Sequence, residues 1–137
     1  MSYRMHHTAI SVRNLEESQR FYETIGFEQV HRYDEVDGSL SIVHIKLDNS
    51  FLELFAYSEN RLKPSLKLEP GNNLGELGVK HIALATDDIE ATLVDMRRKG
   101  LASDATTIIH GRTKVSYFFI KDPDGMWVEF VHDERYA

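Results

Sequence analysis

His7–Phe27 reads HTAISVRNLEESQRFYETIGF, and 74 positions further along His81–Leu101 reads HIALATDDIEATLVDMRRKGL. Laid over one another, the two stretches set His7 on His81, Ala9 on Ala83, Glu16 on Glu90 and Gly26 on Gly100. Leu15 over Ile89 and Phe27 over Leu101 keep apolar character. At an offset of 76, FLELF (Phe51–Phe55) falls on WVEFV (Trp127–Val131), with Glu53 on Glu129; a small loop insertion accounts for the drift. The chain therefore reads as two copies of a unit of roughly 55 residues.

Each copy patterns as a strand, a helix and three further strands. His7–Val12 alternates, with Thr8, Ile10 and Val12 on one side and His7, Ala9 and Ser11 on the other. Asn14, with Glu17 three residues on, opens a helix; Leu15, Phe21, Tyr22 and Ile25 recur near helical spacing, and Gly26 supplies the stop. In the second copy Asp87 or Asp88 opens the helix, Ile89, Leu93 and Met96 form its buried stripe, and Gly100 closes it. Strands are expected near Glu28–Tyr33, Leu40–Leu47 and Phe51–Tyr57, then near Thr106–His110, Lys114–Ile120 and Met126–His132. Asp48-Asn49 and Asp124-Gly125, at equivalent places, favour the positive φ of tight hairpins. Residues 1–57 form module one and 79–137 module two. The connector over 58–78 holds two of the three prolines and three of the eight glycines.

The expected architecture is α+β: two pseudo-symmetric βαβββ modules in a single domain, the helix of each covering one sheet face. The other faces are left to line whatever the modules enclose. A chain of 137 residues can bury a core without staples. With 42% hydrophobic and 28% charged residues it has the balance of a soluble globular protein. No apolar run reaches the ~18 residues of a membrane span, and the first residues lack the apolar core of a signal peptide, so a cytoplasmic protein is expected. The net charge of −6 makes nucleic acid an unexpected partner. There is no cysteine, which excludes disulfides, zinc-thiolate sites, iron–sulfur clusters and Cys nucleophiles together. Any metal must be held by imidazole nitrogen and carboxylate oxygen.

Strand parity points to such a set. In FLELFA, Leu52, Leu54 and Ala56 face the helix and Glu53 faces the other way with Phe51 and Phe55. In WVEFV, Val128 and Phe130 face the helix and Glu129 turns inward with Trp127 and Val131. His7 and His81 oppose the apolar members of their own strands. One His and one Glu from each copy thus turn to the inner face. Two ionised carboxylates among aromatic rings are costly to bury unpaired and repel one another; a divalent cation removes both problems and uses the imidazoles. His₂Glu₂ suits Zn, Ni, Mn, Co or Fe(II).

HTAISVRNLEES, RFYETIGF, LELF, KHIALATDDIEAT and FIKDPDGMWVEFV resemble the vicinal oxygen chelate superfamily (glyoxalase, bleomycin resistance and dioxygenase proteins), nearest its glyoxalase I-like members. The most specific parts are the His-Thr opening strand and the DPDG-x-x-x-E ending. The resemblance implies paired βαβββ modules forming a U-shaped, mixed-sheet metal cup, often completed across a homodimer. It places the four metal ligands on His7, Glu53, His81 and Glu129, the residues the repeat had singled out. Thiol transferases and extradiol dioxygenases of the superfamily typically lack the first carboxylate, so Glu53 points toward the glyoxalase or epimerase side. Two departures stand out: Ser11 replaces the Arg, and Tyr57 the Asn, that glutathione-using glyoxalases carry four residues after the first His and first Glu ligands. They leave another thiol adduct, or a substrate with no thiol, as open as a glutathione adduct.

The implied activity is that of a metal-dependent lyase or isomerase. A small substrate with two adjacent oxygens chelates the ion, an enediolate forms, and a Glu moves the proton: Glu129 as base, with Glu53 as its counterpart. The alternatives are an acyl-CoA epimerase, a thiol transferase, or a metal-free antibiotic-binding resistance module.

Other residues receive plainer readings. A two-residue turn at Asp48-Asn49 puts His44 across from Glu53 on the same face, and the same arithmetic puts Ile120 across from Glu129. His6 is expected on the face opposite His7, and His31, His110 and His132 are expected at exposed strand ends. Arg97, Arg98 and Lys99 suit the negative end of a helix.

Overall fold

A computed structural model describes residues 1–58, 75 and 77–135. Most of the connector expected over 58–78 lies outside the described residues. The elements follow in the order β1 (His7–Ser11), α1 (Leu15–Ile25), β2 (Glu28–Asp34), β3 (Leu40–Leu47), β4 (Ser50–Tyr57), β5 (Ile82–Ala85), α2 (Ile89–Arg98), β6 (Ile109–His110), β7 (Val115–Lys121) and β8 (Trp127–Asp133). The chain divides into two compact units, 1–65 and 66–137, each with the order βαβββ.

In the first unit the sheet runs β1-β4-β3-β2, with β1 parallel to β4 and the other pairs antiparallel. α1 lies against β4, and its buried Leu15, Ser18, Phe21 and Tyr22 recur every three or four residues along one stripe. The helix starts where the Asn14 side chain accepts from the Glu17 N–H at 2.9 Å. It stops at Gly26, whose φ of 133° no side-chain-bearing residue adopts comfortably. Val43, Ile45, Leu52 and Leu54, alternating along β3 and β4, complete the core on that face. The β3–β4 turn is the expected two-residue one: Leu47 pairs with Ser50, and Asp48 takes a φ of 52°.

The second unit repeats the plan, β5-β8-β7-β6, again with one parallel pair (β5 with β8). α2 lies against β7 and β8 and buries Ile89, Leu93 and Met96 over Phe118, Ile120, Val128 and Phe130. Of the two candidate caps, Asp88 takes the role, accepting from the Ala91 N–H at 2.9 Å. Both units are mixed sheets backed by one helix, the α+β architecture expected.

Two expectations need correction here. The strand expected near Thr106–His110 shrinks to Ile109–His110, because Arg97 draws the preceding loop back to the helix: its guanidinium donates to the carbonyls of Ser103 (3.3 Å) and Thr106 (2.6 Å). Arg97 therefore anchors a loop, whereas Arg98 and Lys99 ion-pair with Asp95. The Lys99 ammonium first, and then the Arg98 guanidinium, hold the Asp95 carboxyl below the usual carboxylate range.

The second correction is in the β7–β8 hairpin. Its loop has three residues, Pro123, Asp124 and Gly125, closed by Asp122 N–H donating to the Met126 carbonyl at 2.9 Å. Pro123 has no N–H with which to pair, so a two-residue turn at Asp124-Gly125 fails. The Asp122 carboxylate fastens the loop by accepting from the N–H groups of Asp124 and Met126. This shifts the register by one residue: Phe119, not Ile120, faces Glu129, and Ile120 joins the buried side.

Among the described residues no helix is long and apolar enough to cross a membrane.

Candidate functional site

The helix-free face of each sheet carries the residues singled out in the sequence. In the first unit β1 pairs in parallel with β4 so that Ala9 lies beside Glu53 and His7 beside Phe51. Ala9 has no side chain beyond Cβ, which leaves room for the His7 imidazole to lean along the sheet; its Nε2 comes within 3.7 Å of Glu53 Oε2. From the other side His44, the register partner of Glu53, brings its Nε2 to 2.8 Å from the same Oε2. The cross-strand placing of His44 is thus as expected, and the contact is of hydrogen-bond length.

The second unit has the same design. Ala83 lies beside Glu129, and His81, immediately before β5, reaches back to put Nε2 at 2.8 Å from Glu129 Oε2. Phe119 stands across from Glu129, its ring edge-on to His81 at 5.1 Å and to Trp127 at 5.9 Å. The two carboxylates are well covered, with side chains 17% and 14% exposed, while His7 is 40% exposed. The structure therefore joins His7 with Glu53, and His81 with Glu129. Among the described residues no group of three or more His, Asp or Glu is placed so that it could hold a metal ion. The donor chemistry within each unit, one imidazole nitrogen and one carboxylate oxygen, suits a borderline divalent cation.

Several residues differ from their sequence reading. His6 precedes β1, so strand parity does not govern it; its ring stacks on Phe51 at 5.4 Å, and its Nδ1 lies 2.8 Å from that of His7. His31 is exposed but lies within β2, beyond a bulge, as the register partner of His44, with ring centroids 5.6 Å apart. His132 is half-buried and bonds through Nδ1 to the Thr86 carbonyl at 3.0 Å. His110 is exposed, as expected, beside Ser116 Oγ.

Sequence reading missed a pair of cations. Lys46 faces Phe51, with its Nζ 5.6 Å from the ring centroid, and Lys121 faces Trp127 at 4.4 Å. The two occupy equivalent places, two residues along the strand from the residue facing each carboxylate. Their 75-residue spacing, close to the repeat offset, was the signal that could have revealed them.

A family model described as Glyoxalase/Bleomycin resistance protein/Dioxygenase superfamily matches residues 4–130. The chain is 29% identical to a lactoylglutathione lyase of Neisseria meningitidis, over 93% of this chain and 89% of that protein. It is 30% identical to the mitochondrial methylmalonyl-CoA epimerase of Homo sapiens, over 92% and 72% respectively. Among solved structures, a glyoxalase family protein from Enterococcus faecalis superposes with a TM-score of 0.74 at 25% identity, covering 93% of this chain and 96% of the other.

Proposed function

The chain belongs to the Glyoxalase/Bleomycin resistance protein/Dioxygenase superfamily, and on that premise we propose that it is a metal-dependent lyase or isomerase acting on a small molecule that presents two adjacent oxygens. The observation that carries this reading is the repeated pairing of one His with one Glu on the helix-free face of each sheet, His7 with Glu53 and His81 with Glu129. These four residues would hold one divalent ion (Zn, Ni, Mn, Co or Fe(II)), in a homodimer with all donors from one chain or shared between two. Relatives named as a lyase and as an epimerase support an enzyme over a binding module. The bound ion would supply Lewis-acid stabilisation of the charge that develops when a proton leaves a carbon beside a carbonyl.

The chain's own residues do the rest. Glu129 takes the proton and returns it to the neighbouring carbon, the enediolate lying between the two transfers. Phe119, edge-on to Trp127, stands across from that carboxylate and presents apolar surface beside it. Ser11 and Tyr57 offer no guanidinium or amide of the kind that anchors glutathione, so the assay must vary the thiol. Glu129→Gln is expected to abolish turnover of a 2-oxoaldehyde–thiol adduct; unchanged turnover overturns the assignment. A parallel assay on a 2-substituted acyl thioester separates the lyase reading from an epimerase.

A further inference from the structure

Glu53 and Glu129 are equivalent by the repeat, but the residues facing them across the hairpin are not: His44 faces Glu53 and Phe119 faces Glu129. A carboxylate oxygen only accepts, so the 2.8 Å contact between His44 Nε2 and Glu53 Oε2 requires the proton on Nε2. His44 is itself confined. It is half-buried in β3, with His31 edge-on at 5.6 Å on one side and Glu53 on the other. In the second unit His81 is the imidazole beside Glu129, and Phe119 offers no donor.

We infer that His44 is a positioning residue: its Nε2–H, reaching from the facing strand, holds the Glu53 carboxylate in one orientation for the metal, a support that Phe119 cannot give Glu129. This rests on the function proposed above and deepens it, giving a facing-strand support to one of two carboxylates that the repeat makes formally alike. Partners of this kind orient ligands and tune their affinity for the ion.

The test is a titration of the purified chain with Co²⁺ alone, followed by its visible absorption, for wild type, His44→Phe and His44→Gln. Phe is the residue the second unit tolerates at the equivalent strand position, and Gln keeps an N–H donor. His44→Phe is expected to weaken Co²⁺ binding by about tenfold to a hundredfold and to shift the absorption band. His44→Gln is expected to restore binding to within about threefold of wild type, together with the wild-type band. At saturating metal, His44→Phe should lower kcat and leave KM for the adduct nearly unchanged. Wild-type affinity and spectrum in His44→Phe overturn the inference. So does a His44→Gln variant that folds with a wild-type Tm yet behaves like His44→Phe. A wild-type chain that binds no Co²⁺ overturns the metal reading itself, which separates the two failures.

Discussion

Ala9 and Ala83 stand beside the two acidic residues, and their smallness is a positive requirement of the site. In each sheet the histidine lies two residues before the alanine that pairs with the carboxylate, on the same face, and leans past that small neighbour toward it. Ala83→Leu is expected to lower activity about a hundredfold by displacing His81. The unfolding midpoint should move little, because Ala83 is exposed and contributes nothing to the core. Steady-state kinetics beside a thermal melt would check this, and a hundredfold loss accompanied by collapse of stability would point to misfolding instead. The coincidence of Ala9 with Ala83 was visible in the alignment of the repeats, but its meaning was not. That depended on which residue of the parallel neighbour each alanine adjoins.

At the scale of elements, each helix is set by a side chain at its start. Asn14 and Asp88 occupy equivalent places and satisfy the N–H groups of Glu17 and Ala91 at the same distance, 2.9 Å. Asn14→Ala and Asp88→Ala should each destabilise the chain by about 1 kcal/mol, measured by denaturant unfolding, with activity per folded molecule preserved. A far larger effect at one cap would mean that the residue serves something beyond its helix. Helix starts, helix stops and the β3–β4 turn were legible because their chemistry is local: a cap, a glycine, a pair of turn-forming residues. The β7–β8 register was misread by one residue because Asp124-Gly125 looks like the earlier turn. What decided it was the missing N–H of Pro123 and the two backbone donors held by Asp122. The second copy's short β6 was misread for a different reason, since the hydrogen bonds that hold the loop away from the sheet come from Arg97, nine residues before Thr106.

For the whole molecule, binding of the proposed ion is coupled to folding stability. Protein stripped with a chelator and then given Co²⁺ at about a hundred times the dissociation constant should gain about 2.7 kcal/mol in stability. The gain should vanish in Glu53→Gln and be retained when a surface residue such as Glu134 is changed instead. A thermal melt across a metal series checks this, and an unmoved Tm for wild type would remove the shared ion. The net charge of −6 favours attraction of a cation in general, but it gives no specific stoichiometry; the loss in Glu53→Gln supplies that distinction.

The repeat, the βαβββ order, the helix caps and the facing of His7, Glu53, His81 and Glu129 away from the helices were all determined by the amino-acid sequence. They follow from periods of two and 3.6 residues and from side chains acting on their own backbone. Tertiary structure alone decided who meets whom across the strands. It set Phe119 against Glu129, His6 on Phe51, and Lys46 and Lys121 over their aromatic partners. It also gave Glu53 its hydrogen-bonding imidazole from the facing strand, His44, with His7 further off at 3.7 Å, whereas Glu129 takes its own from His81. The reason is physical: alternation fixes the face a side chain takes, while its partner depends on register. Register is settled by loop length, by which backbone groups can pair, and by the space that small neighbours leave.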